Sequence, residues 1–179
     1  MKMFRWFCWT LFTFSAIAAW SAPALPGLQI RYDRPEHFTD FKLQGRTETE
    51  TTRIFANAIS ERLSKELARG LPGTHLTIEF TDIDLAGRYE PWRGPQFYDI
   101  RFYRDFTPLR LDFRYTLTGS RGEVLANGTK QVYEAYYQYY HEYELTFVGQ
   151  NPAFYELRAL QAWLAALIRQ ERPALVAAK

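Results

Sequence analysis

Apolar and polar residues alternate with a period of two in four stretches of the chain and recur with a helical period in two others. Leu28, Ile30 and Tyr32 alternate with Gln29, Arg31 and Asp33, the pattern of a half-buried strand that Arg34-Pro35 then stops. From Thr47 the period changes. Ile54, Phe55, Ala58, Ile59, Leu63 and Leu67 recur at three- and four-residue steps, Thr47 and Glu50 have the spacing of a capping box, and Gly70 stands where a helix ends. Leu71-Pro72-Gly73 turns the chain into a second strand with Leu76, Ile78 and Phe80 on one face. A third strand is expected over 98–103, with Tyr98, Ile100 and Phe102 alternating with Asp99, Arg101 and Tyr103. In a fourth, Leu109, Leu111, Phe113, Tyr115 and Leu117 oppose Arg110, Asp112, Arg114 and Thr116. Gly119 to Gly122 make a turn into a fifth strand from Glu123 to Tyr133, weakened by Asn127-Gly128. Asn151-Pro152 then caps a second helix whose stripe is Leu157, Leu160, Leu164, Leu167 and Ile168, with Pro173 closing it.

The order strand, helix, four strands, helix predicts an α+β two-layer sandwich. A mainly antiparallel sheet of about five strands would carry both helices on one face. No repeat or linker divides the chain, so a single domain is expected after the first 24 residues.

Those first residues have a different character. Lys2 and Arg5 precede fifteen uncharged residues from Trp6 to Trp20, and Ser21, Ala22, Pro23 and Ala24 follow. This is the basic, apolar and small-residue sequence of a signal peptide, too short for the ~20 residues that cross a bilayer. Residues 1–24 are therefore read as a leader, with cleavage between Ser21 and Leu25 and an expected location outside the inner membrane: periplasmic or secreted, with no permanent membrane anchor. The lone cysteine, Cys8, goes with the leader, which leaves no thiol for a disulfide, a metal or a nucleophile. So do Lys2 and Arg5, and with them the surplus of 22 basic over 20 acidic residues. A neutral domain without a basic stripe is not expected to bind nucleic acid.

The densest polar stretch runs from Thr81 to Trp92. Its parity is informative. With Leu76, Ile78 and Phe80 inward, an unbroken strand would bury Asp82 and Asp84 at several kcal/mol each. A bulge near Thr81 would instead turn Ile83 and Leu85 inward and the two carboxylates outward. Asp82, Asp84, Arg88, Glu90, Asp99 and Arg101 form the candidate polar site. Its structural reading is a loop tied down by Asp side chains that accept backbone N–H groups or pair with Arg88 or Arg101. Its catalytic reading is an acid/base pair, or a hard-cation site, in a hydrolase or metal-dependent enzyme using Asp82 and Asp84. The structural reading is favoured, because a cation loop needs more ligands than these.

The stretch Thr81-Asp82-Ile83-Asp84-Leu85-Ala86-Gly87-Arg88-Tyr89-Glu90-Pro91 resembles a signature of a family of bacterial secreted proteins classed as a domain of unknown function. Phe38-Thr39-Asp40, Asp99-Ile100-Arg101 and the aromatic C-terminal helix with Trp163 are similar to that family too. The resemblance implies export and carries no catalytic residue.

His37, His75 and His141 share no metal-ligand spacing, and no nucleophile elbow, phosphate loop or dinucleotide turn is present. No catalytic residue, metal or cofactor is assigned. The remaining feature is the run Tyr133, Tyr136, Tyr137, Tyr139, Tyr140 and Tyr143, interleaved with Glu134, His141 and Glu142. Tyrosine offers a flat face with a polar tip, so Tyr137, Tyr139, Tyr140 and Tyr143 are the candidate interaction surface. The partner expected there is an envelope protein or a cell-wall glycan, and the function expected is that of a non-catalytic binding or envelope-associated module.

Overall fold

A computed structural model of the chain describes residues 20–21, 27–104, 106–135 and 151–177. Its elements run β1 (Trp20–Ser21), β2 (Leu28–Tyr32), α1 (Glu48–Gly70), β3 (His75–Asp84), β4 (Arg88–Tyr89), β5 (Arg101–Phe102), β6 (Leu109–Thr118), β7 (Val124–Glu134) and α2 (Phe154–Ala177). The main sheet has the order β1-β2-β3-β6-β7 and is antiparallel except where β2 and β3 pair in parallel across α1. This is the α+β architecture read from the periodicity. Strand β1 lies within the residues expected to leave with the leader.

The helix ends follow from side-chain chemistry. Thr47 Oγ1 accepts the Glu50 N–H at 3.2 Å and the Glu50 carboxylate accepts the Thr47 N–H at 2.9 Å, which completes the capping box. Gly70 stands at the helix end, as expected, and also serves packing. It is the last residue of α1, and a Cβ there would meet Ile168 of α2 at 2.5 Å, so its missing side chain lets the two helices touch. Ahead of α2, Asn151 Oδ1 accepts the Ala153 N–H at 2.8 Å. Pro173 does not close α2, which runs on to Ala177.

One core fills the space between sheet and helices. Leu28, Ile30, Leu76, Ile78, Leu111 and Leu117 from the sheet meet Ile59, Leu63, Leu67, Leu160 and Leu164 from the helices. An aromatic chain runs through it: Tyr32 stacks on Phe80 at 5.5 Å, Phe80 meets Phe113 at 5.7 Å, and Phe113 meets Trp163 at 4.8 Å. The opposite face of the sheet is a grid of charges. Arg114 reaches Glu79 at 3.0 Å and Asp33 at 3.1 Å, and Gln131 donates to Asp112 at 2.8 Å.

Two expectations change. The stretch 98–103 does not enter the main sheet. Only Arg101–Phe102 is extended, and it pairs with β4 as a separate two-stranded ribbon. Tyr98 and Ile100 are exposed, so their alternation reflects a turn carrying apolar side chains and not a buried face. The Asn127-Gly128 weakness in β7 is also absent: the strand is continuous, and Gly128 lies opposite Tyr115, whose ring stands at ordinary contact distance from where a Cβ would be.

Candidate functional site

The end of β3 decides the geometry. Phe80 pairs with Phe113 and Asp82 with Asp112, which leaves Thr81 as an extra residue in the strand. This bulge is the device expected from parity. Ile83 and Leu85 are buried, and Asp82 and Asp84 lie on the outer side.

Asp82 is saturated with donors. Its carboxylate accepts the Thr39 N–H and hydroxyl, each at 2.7 Å, the Arg110 guanidinium at 2.6 Å and its neighbour Ile83 N–H at 2.9 Å. Burial works to raise its pKa, but the Thr39 and Arg110 contacts outweigh it and hold the group below the ordinary aspartate range. Asp82 and Asp112 face each other in register, and Arg110 lies between them, 3.5 Å from Asp112.

Asp84 has a poorer environment. Arg88 is 3.5 Å away, and burial, aided by the Asp40 charge, raises the Asp84 pKa despite that arginine.

Arg101 organises the loop that follows. Its guanidinium donates to the carbonyls of Leu85 at 3.1 Å, Ala86 at 2.6 Å and Gly87 at 2.8 Å, and to the Asp40 carboxylate at 2.6 Å. The segment Leu85–Gly87 is thus wrapped around one side chain. Gly87 has φ of 74°, and a Cβ there would lie 2.6 Å from the Phe102 carbonyl, so only glycine fits. Asp40 is fixed in turn by backbone bonds to Ile83 and Leu85. Beneath the loop, Glu156 of α2 is fully buried and accepts the Ala86 N–H at 3.0 Å. Burial raises its pKa, and the Ala86 bond and the nearby Arg101 charge only partly offset this.

Glu90 holds the next stretch. Arg104 binds it through two bonds of 2.6 and 2.9 Å, and Arg93 donates to the same carboxylate. Those bonds, from Arg104 first and Arg93 second, push the Glu90 pKa down to about 2. Both guanidinium groups also sit over the Phe102 ring, at 4.7 Å for Arg93 and 5.7 Å for Arg104. Around this clamp the chain forms two 3-10 turns, Pro91–Arg93 and Pro95–Phe97. The turns and the strand after them present Trp92 (77% exposed), Phe106 (76%), Tyr98 (46%), Ile100 (45%) and Tyr103 (38%).

The six residues expected to form one polar site are therefore divided. Asp84 meets Arg88, Arg101 meets Asp40 and not either expected aspartate, Glu90 meets two arginines, and Asp99 stands exposed in the turn before β5. Thr39, Asp40, Arg110 and Glu156 were not singled out as partners, because each lies at least 28 residues from the group it binds. Trp92 and Phe106 carry a local signal, the density of aromatic residues between 92 and 106, which extends beyond the stretch 98–103 expected as a strand. Tyr137, Tyr139, Tyr140 and Tyr143 lie outside the described residues. Among the described residues, no group of three or more His, Cys, Asp or Glu is gathered closely enough to hold a metal ion.

A family model described as "Protein of unknown function (DUF3016)" matches residues 27–166. No curated protein and no solved structure matches the chain.

Proposed function

The chain belongs to the DUF3016 family of proteins of unknown function, and from that premise we propose that it is an exported, non-catalytic binding module of the cell envelope, periplasmic or secreted once its leader is removed. The family match begins at Gly27, just beyond the leader expected over residues 1–24, which supports the division into leader and working domain. No helix among the described residues is long and apolar enough to cross a membrane.

The observation that carries the binding reading is the β4–β5 ribbon and its turns. Five large apolar side chains are exposed between residues 92 and 106, on a segment that Glu90 and two arginines hold in one shape. Exposed apolar groups in such density mark contact surfaces, and Trp, Tyr, Phe and Arg are the side chains that interfaces favour. Asp82 and Asp84 act in this reading as structural ties, since Asp82 already accepts four donors.

Intact-mass analysis of the exported protein tests the leader: retention of residues 1–24 would refute it. A photo-crosslinking residue at position 92, compared with one at exposed Thr129 on β7, tests the surface in living cells. Adducts at 92 and none at 129 are expected. Absence of any adduct at 92, of protein, glycan or lipid, would overturn the binding reading.

A further inference from the structure

We infer that loss of the leader opens one edge of the sheet and that two copies of this chain pair there, β2 against β2, in antiparallel register. The pairing rests on the leader being removed, as proposed above, and is independent of the 92–106 surface.

The edge follows from the strand order. In β1-β2-β3-β6-β7 the outer neighbour of β2 is β1, which lies within residues 1–24. Without the leader, β2 is the edge strand. Two hydrogen bonds to β3 fix which of its backbone groups face outward. Leu76 N–H donates to the Gly27 carbonyl at 2.7 Å, and Asp33 N–H donates to the Phe80 carbonyl at 2.9 Å. Alternate residues of a strand bond the same neighbour, so Gly27, Gln29, Arg31 and Asp33 turn towards β3. Leu28, Ile30 and Tyr32 therefore direct their N–H and C=O groups away from it. In the full chain Trp20 pairs antiparallel with Tyr32 on that side, so an extended segment fits there. That segment goes with the leader. The side chains of Leu28, Ile30 and Tyr32 are buried in the core, which holds the row of donors and acceptors in place.

The occupant is a second copy because β2 complements itself. A two-fold axis through Ile30 sets Ile30 opposite its own copy and Leu28 opposite Tyr32 of the second copy. Every outward residue then exchanges both of its backbone bonds, as in the closely bonded positions of an antiparallel pair. The same axis sets Gln29 opposite Arg31 on the polar face. Within one chain the Arg31 guanidinium donates to Gln29 Oε1 at 3.0 Å, and across the axis it makes the same bond twice. No like charges meet.

The far edge is guarded against such pairing. Strand β7 breaks register with β6 near Leu117 and Thr118, and it carries exposed Lys130. Strand β2 has unbroken register with β3 and contains neither lysine nor proline. Pairing through β2 alone is isologous and closes at two copies.

Intact mass of the exported protein reads leader removal by itself. Sedimentation equilibrium of the leader-free protein should then show reversible dimerisation. Cys8 leaves with the leader, so introduced thiols have no competitor in the working domain. Gln29→Cys and Arg31→Cys proteins, mixed and oxidised, should form a covalent heterodimer, since residues opposite each other at such positions lie about 4.5 Å apart at Cα. Thr129→Cys on β7, mixed with Arg31→Cys, should not. Gln29→Lys puts a second cation opposite Arg31 on both sides of the axis and should raise the dimer Kd about tenfold. Gln29→Glu should lower it. Leader-free protein that stays monomeric at every concentration, or mixed cysteine proteins that form no heterodimer, overturns the pairing and leaves the leader reading intact. A dimer indifferent to both Gln29 substitutions also overturns it, because the contact then lies elsewhere. A mass that retains residues 1–24 removes the leader reading and the open edge together.

Discussion

Arg101 and Asp40 meet at 2.6 Å although 61 residues of sequence separate them. The guanidinium that closes this pair also gathers the carbonyls of Leu85, Ala86 and Gly87, so one side chain joins the segment after β2, the loop after β3 and strand β5. Such a hub makes the loop a fixed shape and sets the origin of the ribbon that carries the exposed rings.

Replacing Arg101 should therefore be costly. Arg101→Leu leaves Asp40 without its partner and three carbonyls without donors, in a place where the arginine side chain is only 10% exposed. The expected loss is about 3–5 kcal/mol, the range for breaking a buried ion pair on one side. Arg101→Lys keeps the charge but not the forked donors, and should fall between the two. Urea denaturation of the three proteins reads this directly. A loss under about 1 kcal/mol for Arg101→Leu would show that the loop does not depend on the hub.

The two aspartates of the bulge should separate under mutation. Asp82→Ala removes an acceptor that serves Thr39, Ile83 and Arg110, with an expected loss of about 1–3 kcal/mol. Asp84→Ala should cost less, because its arginine is 3.5 Å away and burial already disfavours its charge. Calcium or magnesium should leave both melting temperatures where they are. A metal-dependent rise in the wild type that Asp84→Ala abolishes would move the site to a cation role.

How far the sequence reached can be seen at these same residues. Parity alone located the bulge, because Phe80 and Ile83 cannot both be buried on one face of a regular strand. Capping chemistry located the starts of both helices to within a few residues, since Thr47, Glu50 and Asn151 act on their immediate neighbours. Partners were another matter. Asp40–Arg101 and Thr39–Asp82 bring distant segments together, and no local period records which arginine of several will meet which aspartate. The ribbon departs from its sequence pattern for a related reason. Tyr98, Ile100 and Phe102 alternate as a strand does, but alternation reports only side-chain sequence, and here the turn leaves Tyr98 and Ile100 in solvent.

Glu156 predicts a dependence of stability on pH. Its folded pKa lies above the ordinary glutamate value because the carboxyl is buried. A group raised in this way contributes stability that is complete below its unfolded pKa and is lost as pH rises through the folded one. Glu156→Gln keeps an oxygen for the Ala86 N–H and cannot ionise. The variant should match the wild type in acid and exceed it at neutral pH, with a flatter profile between. Chemical denaturation across that range checks it, and a wild type that gains from ionising Glu156 would appear as a variant weakened at neutral pH.

Glu90 should act with the opposite sign, and on the ribbon more than on the whole fold. Its pKa is pushed from 4.5 down to about 2 by Arg104 and Arg93. A depressed group contributes stability above its unfolded pKa and loses it as pH falls through the folded one, so the clamp should weaken between pH 4.5 and about 2. Without it the two arginines lose their common acceptor, and the turns at Pro91–Arg93 and Pro95–Phe97 lose what ties them to Phe102. Glu90→Gln reproduces the protonated state at any pH. At neutral pH, chymotrypsin should cut the variant after Trp92, Phe97 or Tyr98 well before it cuts the wild type, while global melting changes far less. In the wild type, pepsin should open the same segment only as the pH drops through that window. Equal cleavage of variant and wild type would mean that the turns hold their shape by proline and packing alone, and that the arginines serve another purpose.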